Sequence, residues 1–168
     1  MTRNHASRQH LRGFTLIEMF AVLAVVAILA MLALPSYLER NIRQQIEAAM
    51  PLADLAKKPV LAAWAAQLPF PADNAAAGLP AADKIVSNFV NAIAIQDGAI
   101  HITFGNQAIG AIKGKLLTLR PAVVADAPVV PVTWICGNAN PPDKMSVQGE
   151  NRTTVDPNYL PLACRGRK

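Results

Sequence analysis

The sequence predicts an α+β fold, in which one long N-terminal helix packs on a four-stranded antiparallel sheet. Three observations predict it: a stretch of twenty-one mostly apolar residues near the start, an apolar stripe at helical spacing directly after it, and four short strand-like runs in the second half. A C-terminal loop bounded by two cysteines, which a disulfide would close, completes the predicted architecture.

Composition indicates that part of the chain is a membrane-spanning segment or a segment that packs in an assembly. Hydrophobic residues make up 52% of the chain and charged residues only 16%, whereas a soluble domain usually carries about 25% charged residues. The apolar excess lies near the N-terminus, so it does not indicate a larger core. The net charge of +5 depends partly on Arg3, Arg8 and Arg12, and it is therefore weak evidence for a nucleic-acid partner.

The N-terminal third begins with a basic segment and continues with an apolar one. Residues 1–13 contain no acidic side chain, and residues 14–34 are apolar except for Thr15 and Glu18. A helix of this length spans roughly the 30 Å hydrocarbon core of a bilayer, and it is longer than the apolar part of a signal peptide. The basic flank predicts that the N-terminus stays in the cytoplasm while the rest crosses the membrane.

The helical pattern continues after the apolar stretch as an amphipathic half. Apolar residues recur every three or four positions over residues 38–60, which predicts one buried stripe. We expect Pro35, Pro51 and Pro59 to kink this helix or to break its hydrogen bonding locally. The stripe consists of Leu38, Ile42, Ile46, Ala49, Ala53, Ala56 and Val60.

A proline-rich loop and a hairpin follow the helix. Residues 67–88 read as a connecting segment, with three prolines between positions 67 and 83. Residues 89–95 and 99–104 are strand-like and flank Asp97-Gly98, and Asp-Gly between alternating apolar runs is a strong hairpin signal.

The second strand of this hairpin has one clearly apolar face. Ile100, Ile102 and Phe104 alternate with His101 and Thr103, so we expect the isoleucine face to be buried and His101 to face solvent. A single histidine without an acidic or thiol partner is a poor case for catalysis or metal binding.

Two more strands and a long loop complete the chain. Residues 115–124 and 129–136 read as strands joined by a turn near residues 126–128, which gives an antiparallel meander of four strands. Residues 137–163 are rich in asparagine, proline, aspartate and glycine, and they read as a loop.

Two cysteines bound this loop. Cys136 and Cys164 are separated by 27 residues, so they form no CxxC motif, and no second pair is present for zinc. If this part of the chain lies outside the cytoplasm, a disulfide is the default interpretation. In a cytosolic protein the same residues would be two free thiols.

The segment from Gly13 to Glu18 combines a cleavable bond with a carboxylate in an apolar helix. A small residue before a scissile bond lets the backbone enter a protease cleft, and an intramembrane carboxylate costs about 2.5–3.5 kcal/mol unless it has a partner. Cleavage after Gly13 would leave Phe14 with an amine of reference pKa about 7.7–8, which could neutralise Glu18 of a neighbouring subunit. The alternative is a signal anchor whose Glu18 is hydrated near the membrane interface.

The run GFTLIE at residues 13–18, followed by an apolar helix, resembles the processing and assembly motif of type IV prepilins. The resemblance implies that a membrane prepilin peptidase cuts between Gly13 and Phe14 and then N-methylates the Phe14 amine. It also implies that Glu18 guides the docking of each new subunit.

The second half resembles the C-terminal part of type IVa pilins at residues 114–121, 134–136 and 159–164, and its hairpin resembles their first two strands. This likeness implies a Cys136–Cys164 disulfide. By the chain-entropy estimate, closing a loop of about 29 residues would contribute roughly 3.6 kcal/mol. Residues 60–84 resemble no family segment that we can name.

The resemblance implies a structural protein, and the sequence offers no triad, metal cluster or carboxylate pair to support an enzyme. It implies a homopolymer filament that assembles through the N-terminal helix and serves motility, adhesion or DNA uptake. The precursor would sit in the inner membrane, its partners would be the prepilin peptidase and the pilus assembly machinery there, and the final location would be an extracellular pilus (fimbrium). We expect no catalytic residue, metal or cofactor.

Alternatives of two kinds remain open. A minor pilin or a type II secretion pseudopilin would share the processing motif. A DNA receptor or an adhesin within the pilus would use surface side chains, and weak DNA contact through Lys113, Lys115, Arg120 and the basic tail is one form of it.

The patterns and the resemblance together divide the chain into six segments. These are a leader peptide (1–13), a hydrophobic transmembrane and assembly helix (14–35), an amphipathic half-helix (36–66), a connecting loop (67–88), an antiparallel sheet (89–136), and a disulfide-bounded loop with its tail (137–168).

Overall fold

The structure is a computed structural model that describes residues 14–166. The predicted leader, including Gly13, lies outside the described residues, as do the last two residues of the basic tail. The side chains of residues 33–35 also lie outside them, and with them the predicted effect of Pro35. The chain divides into two compact units, the first ending at Tyr37 and the second beginning at Leu38.

The part of the first unit that the structure describes, from residue 14 on, is mostly helical, and residues 14–34 are apolar except for Thr15 and Glu18. Helix α1 spans Leu16–Ala49 and therefore begins in this unit and ends in the second. From Leu16 to Leu32 its large apolar side chains are more than half exposed. Among the described residues one helical run, Leu16–Ala65, is long and apolar enough to cross a membrane by length and composition.

In the second unit the helical run is interrupted at Pro51. Helix α1 ends at Ala49, a single 3₁₀ turn covers Met50–Ala53, and α2 spans Asp54–Ala65. Proline cannot donate the backbone hydrogen bond that an α-helix requires, which explains the change of helix type. By contrast, α2 continues through Pro59, between the buried residues Ala56 and Val60.

The buried stripe predicted over residues 38–60 is confirmed except at its first position. Ile42 and Ile46 in α1 and Val60 in α2 are buried, as are the three alanines of the stripe, Ala49, Ala53 and Ala56. Leu38 is 53% exposed. Alanines at the centre of the stripe let a helix approach a sheet closely, because no side chain extends beyond Cβ.

Four antiparallel strands form the sheet in sequential order, and a short fifth strand joins it. This confirms the predicted fold of a long helix packed on a four-stranded antiparallel meander. The strands are β1 (Val90–Gln96), β2 (Ala99–Phe104), β3 (Leu116–Val123), β4 (Thr133–Cys136) and β5 (Ser146–Val147), the last paired with β3.

The hairpin between β1 and β2 follows the predicted Asp-Gly turn. Asp97 and Gly98 both have positive φ, +48° and +81°, as a two-residue turn that matches strand twist requires. A Cβ on Gly98 would lie 2.8 Å from Cγ of Phe70. The turn therefore depends on glycine both for its backbone conformation and for the packing of the connecting loop.

Strand β4 is shorter than predicted, and β5 was not predicted. We expected the fourth strand from residue 129, but Val130 donates its N–H back to the Ala127 carbonyl in a turn, and Pro131 has no N–H to give to a ladder. A two-residue strand such as Ser146–Val147 is too short to show any periodicity.

The expectation that His101 faces solvent is wrong. His101 is only 5% exposed, and Thr118, its neighbour on β3, is fully buried. Backbone N–H groups and hydroxyls of residues 152–154 bond to β3 on this side of the sheet. The alternation of β2 correctly indicated which face meets the helix, but it gave no sign that the C-terminal loop folds over the other.

Candidate functional site

Glu18 lies in the first turn of α1 and forms a capping box with Thr15. The Glu18 backbone N–H donates to Thr15 Oγ1, and the Thr15 N–H and hydroxyl both donate to Glu18 Oε2, each over 3.3 Å. The pattern Thr-x-x-Glu before an apolar run is the sequence signature of this motif. It explains why α1 starts where it does, directly after the proposed processing site.

These contacts leave the carboxylate only weakly satisfied. Charge-assisted hydrogen bonds to a carboxylate are usually about 2.7–2.9 Å long, whereas both contacts from Thr15 measure 3.3 Å. Neither donor is charged, so the negative charge of Glu18 is not neutralised by Thr15. A cation placed near Glu18 would therefore gain a strong interaction in apolar surroundings.

Phe14 is the residue whose amine is expected to supply that cation. It precedes Thr15, and its side chain is exposed. Since Gly13 lies outside the described residues, the geometry of the scissile bond is not part of the structure. The described residues thus bring Thr15 and Glu18 together, and the pairing of Glu18 with Phe14 stays a prediction.

At the other end of the chain, Cys136 and Cys164 form a disulfide. Their Cα atoms are 4.5 Å apart, and both residues are buried. Cys136 is the last residue of β4, and Cys164 lies in a short 3₁₀ turn over Leu162–Cys164. The bond therefore joins the end of the chain to the edge of the sheet and encloses the loop between them.

A shared carbonyl connects this C-terminal region to α1 within the second unit. The Asn158 carbonyl oxygen accepts hydrogen bonds from Arg43 on α1 (3.0 Å) and from Arg165 (2.8 Å), directly after the second cysteine. Arg165 also donates to the Leu160 carbonyl, and Arg43 pairs with Glu39. Nothing in the sequence pattern predicted this connection, because it joins residues more than a hundred positions apart.

Two of the basic residues considered for DNA contact already donate hydrogen bonds within the protein. Arg120 donates to the Gly137 carbonyl at 3.2 Å, and Arg165 makes the two bonds just described. Lys113 and Lys115 are exposed. Within the described residues the suggested basic patch is therefore reduced to two lysines.

Trp134 packs against the hydrophobic core and does not form an open platform. It is half-buried beside the core cluster, and Lys57 Nζ lies 5.8 Å from its ring centroid. The described part of the chain holds no group of three His, Cys, Asp or Glu side chains arranged to bind a metal ion.

Two family models match the chain. The model for pilin, a bacterial filament protein, matches residues 43–165. The model for the prokaryotic N-terminal methylation motif matches residues 8–34, which contain the Gly13–Glu18 segment. The first match covers the described second unit from α1 to the disulfide, and the second covers the apolar helix.

Curated relatives resemble the chain over nearly its whole length. A fimbrial protein of Neisseria meningitidis serogroup B is 30% identical over 163 residues, covering 92% of this chain and 94% of the relative. The type IV major pilin protein PilE of Neisseria gonorrhoeae is 31% identical, with 92% and 93% covered. The fimbrial protein EcpC of Eikenella corrodens is 34% identical, with 94% and 93% covered.

Proposed function

The chain belongs to the pilin family of bacterial filament proteins, and on that basis we propose that it is a prepilin that is cut after Gly13 and polymerised into a type IV pilus. The N-methylation motif at residues 8–34 and the major pilins among its relatives support a structural subunit of this type. Its role is architectural and not enzymatic.

One observation carries the proposal: Glu18 is the charged residue in the first half of α1, where the other residues from Leu16 to Leu34 are apolar. Its own capping residue, Thr15, approaches only to 3.3 Å and brings no positive charge. The amine that cleavage creates on Phe14 of a neighbouring copy is cationic at neutral pH. Pairing the two groups removes an isolated charge from apolar surroundings and sets how far one helix lies along the next.

Helix packing supplies the rest of the assembly energy. Before assembly, the apolar helix lies in the inner membrane, and lipid is as apolar as the leucine and valine side chains of α1. Moving the helix into a filament therefore gains little hydrophobic free energy, so side-chain packing and polar contacts must provide affinity and specificity. Glu18 is the acidic residue available for this within residues 14–34.

The proposed pathway requires two partners at the inner membrane. A prepilin peptidase cuts the Gly13–Phe14 bond and N-methylates the Phe14 amine, and the pilus assembly machinery extracts the mature chain from the membrane. The product is an extracellular fimbrium whose uses would include motility, adhesion or DNA uptake. A methylated amine keeps its positive charge, so methylation is compatible with pairing to Glu18.

Substitution of Glu18 tests this proposal. We expect Glu18→Ala to be cut normally, because the scissile bond is unchanged, but to form no surface filaments. Glu18→Gln is the matched control for shape, since it keeps the side-chain size and loses the charge, and we expect it to fail as well. Electron microscopy shows whether surface filaments form, and a gel shows whether the precursor is cut to its mature mass. Normal filaments from either variant would show that the carboxylate charge is dispensable.

A minor pilin is the second candidate, since it would share the processing motif and the disulfide. The relatives that are named major pilins favour the main subunit. Mass spectrometry of sheared filaments distinguishes the two, because a major subunit dominates the protein content and a minor one is a trace component.

A further inference from the structure

We propose that His101, Thr118 and Arg152 form an acid-sensitive latch, which holds residues 150–155 against the sheet at neutral pH and releases them when His101 is protonated. The latch lies in the second unit and goes beyond filament assembly. It is a property of the folded chain, so it holds whether or not the chain polymerises through Glu18.

The latch begins with a buried pair of side chains on neighbouring strands. His101 on β2 lies opposite Thr118 on β3 in the sheet register. The His101 Nδ1 atom is 3.0 Å from Thr118 Oγ1, and the two residues are 5% and 0% exposed. Water therefore has no ready access to either group.

The hydrogen bonds of Thr118 favour a neutral imidazole. Thr118 Oγ1 accepts the backbone N–H of Arg152 at 3.0 Å, and among the described bonds His101 Nδ1 is the one acceptor within reach of the hydroxyl hydrogen. We therefore assign that hydrogen to Nδ1 and the ring proton to Nε2. Protonation would place a second N–H on Nδ1, directed at the hydroxyl hydrogen, so the hydroxyl would have to rotate and find another acceptor.

The surroundings of the ring also disfavour a charged histidine. Nε2 is buried and has no hydrogen-bond partner in the described structure. Burial lowers the pKa of His101, the positive Arg152 lowers it further, and Glu150 partly opposes both effects. On the strand that bears Thr118, the next charged residue is Arg120, also positive, which donates to the Gly137 carbonyl.

The same chain segment is held to β3 by four further hydrogen bonds. The Thr118 N–H donates to Thr153 Oγ1 (3.1 Å), and the Leu116 N–H donates to Thr154 Oγ1 (2.8 Å). The Leu116 carbonyl accepts the N–H groups of Thr154 (2.9 Å) and Val155 (3.3 Å). Because the Arg152 bond continues this row, losing it loosens residues 150–155 from the strand. The latched segment belongs to the loop enclosed by the disulfide, so its release would change the surface of that loop.

The direction of the pH effect follows from proton linkage. In the latched state the pKa of His101 is below its ordinary value of 6.5, whereas a hydrated histidine in the released state titrates near 6.5. The released state therefore binds more protons in this range. The equilibrium constant that favours the latched state over the released state has its full value above about pH 6.5. It falls by up to about tenfold per pH unit as the pH decreases toward the pKa of His101 in the latched state.

Hydrogen exchange on the full chain in detergent micelles tests the latch. As the pH decreases from about 7.5 to about 5, we expect the Arg152 and Thr154 amides to lose protection, after correction for intrinsic exchange. The amides shared between β1 and β2 serve as the internal reference and should keep their protection. In His101→Gln, which keeps a polar side chain but cannot titrate in this range, the pH dependence should disappear.

Two charge variants give effects in opposite directions. Arg152→Gln keeps the backbone donor and removes a charge that lowers the pKa of His101 in the latched state, so the acid-dependent loss of protection should become smaller. Glu150→Gln removes a charge that raises this pKa, so the acid-dependent loss of protection should become larger. The titration itself is read from histidine NMR signals, and His101→Gln identifies the signal among the three histidines of the chain.

Three results would overturn the latch. One is titration of His101 at or above its ordinary pKa. Another is the absence of any titration before the whole domain unfolds. The third is titration without a selective loss of protection at Arg152 and Thr154, or a pH dependence that survives in His101→Gln.

Discussion

At the residue scale, we propose that assembly depends on Glu18, because a carboxylate in an apolar run needs a partner. The structure adds Thr15 as the capping residue of Glu18. His101 was predicted on the correct strand, but it was expected to be exposed and is buried. Period-two alternation tells which side chains share a face, whereas burial of the second face depends on a distant segment.

Processing depends on the size of residue 13. Gly13→Leu places a branched side chain directly before the scissile bond, where the backbone must enter the peptidase cleft, so we expect the precursor to accumulate uncut. Gly13→Ala is the matched control, since alanine adds only a methyl group, and it should be cut to a greater extent than the leucine variant. The mature mass on a gel or by mass spectrometry reports the outcome, and normal maturation of Gly13→Leu would contradict the proposed cut site.

Asn74 is a residue that sequence reasoning missed. It is 8% exposed, its amide group donates to the Pro80 and Ile93 carbonyls, and its oxygen accepts the Ile95 N–H. Asn74→Ala should lower the free energy of unfolding by about 1–3 kcal/mol, because a buried backbone N–H loses its acceptor. Chemical denaturation measures this, with the exposed Asn140→Ala as control, expected to stay within about 0.5 kcal/mol of the parent. Equal stability of Asn74→Ala and the parent would be evidence against this role.

At the scale of elements, strong periodicity and specific turn chemistry were sufficient to predict the main helix and the first hairpin. The apolar stripe predicted the face of the helix that packs on the sheet, and Asp97-Gly98 predicted the hairpin. The short β5 and the late start of β4 were missed. Both depend on how prolines and a long loop settle against β3, which no local pattern encodes.

The hairpin turn makes a sharp test at this scale. Gly98→Ala should cost about 1–2 kcal/mol from the left-handed backbone alone, and more because the new Cβ would clash with Phe70, 2.8 Å away at Cγ. Gly110→Ala is the matched control, since nothing lies within 4 Å of its added Cβ. Thermal or chemical unfolding should separate the two variants clearly. Equal stability of both would contradict the turn geometry.

At the scale of the whole molecule, the fold class followed from the order of the patterns. An apolar run, an amphipathic stripe and four strands admit few arrangements once each must bury one face. What the sequence could not supply is the set of long-range contacts that fasten the C-terminal loop, such as the Arg43 bond to the Asn158 carbonyl. Such contacts depend on the final positions of residues far apart in the chain.

The Cys136–Cys164 disulfide holds the same C-terminal loop covalently. Replacing both Cys136 and Cys164 by serine should reduce the free energy of unfolding by roughly 3.6 kcal/mol on the chain-entropy estimate for a loop of about 29 residues. The denaturation midpoint of the double variant measures this loss, and exchange of the loop amides should rise with it. An unchanged midpoint would mean that the hydrogen bonds of Arg165 and residues 152–154 hold the loop without the bond.

The most direct test of the central claim is the intact mass of native surface filaments. We predict a chain that begins at Phe14, carries one added methyl group and lacks two hydrogens because of the disulfide between Cys136 and Cys164. Such a mass would mean that the assembled filaments contain the free Phe14 amine that we propose pairs with Glu18. A protein that keeps its first thirteen residues and remains an unassembled membrane protein would contradict the proposal.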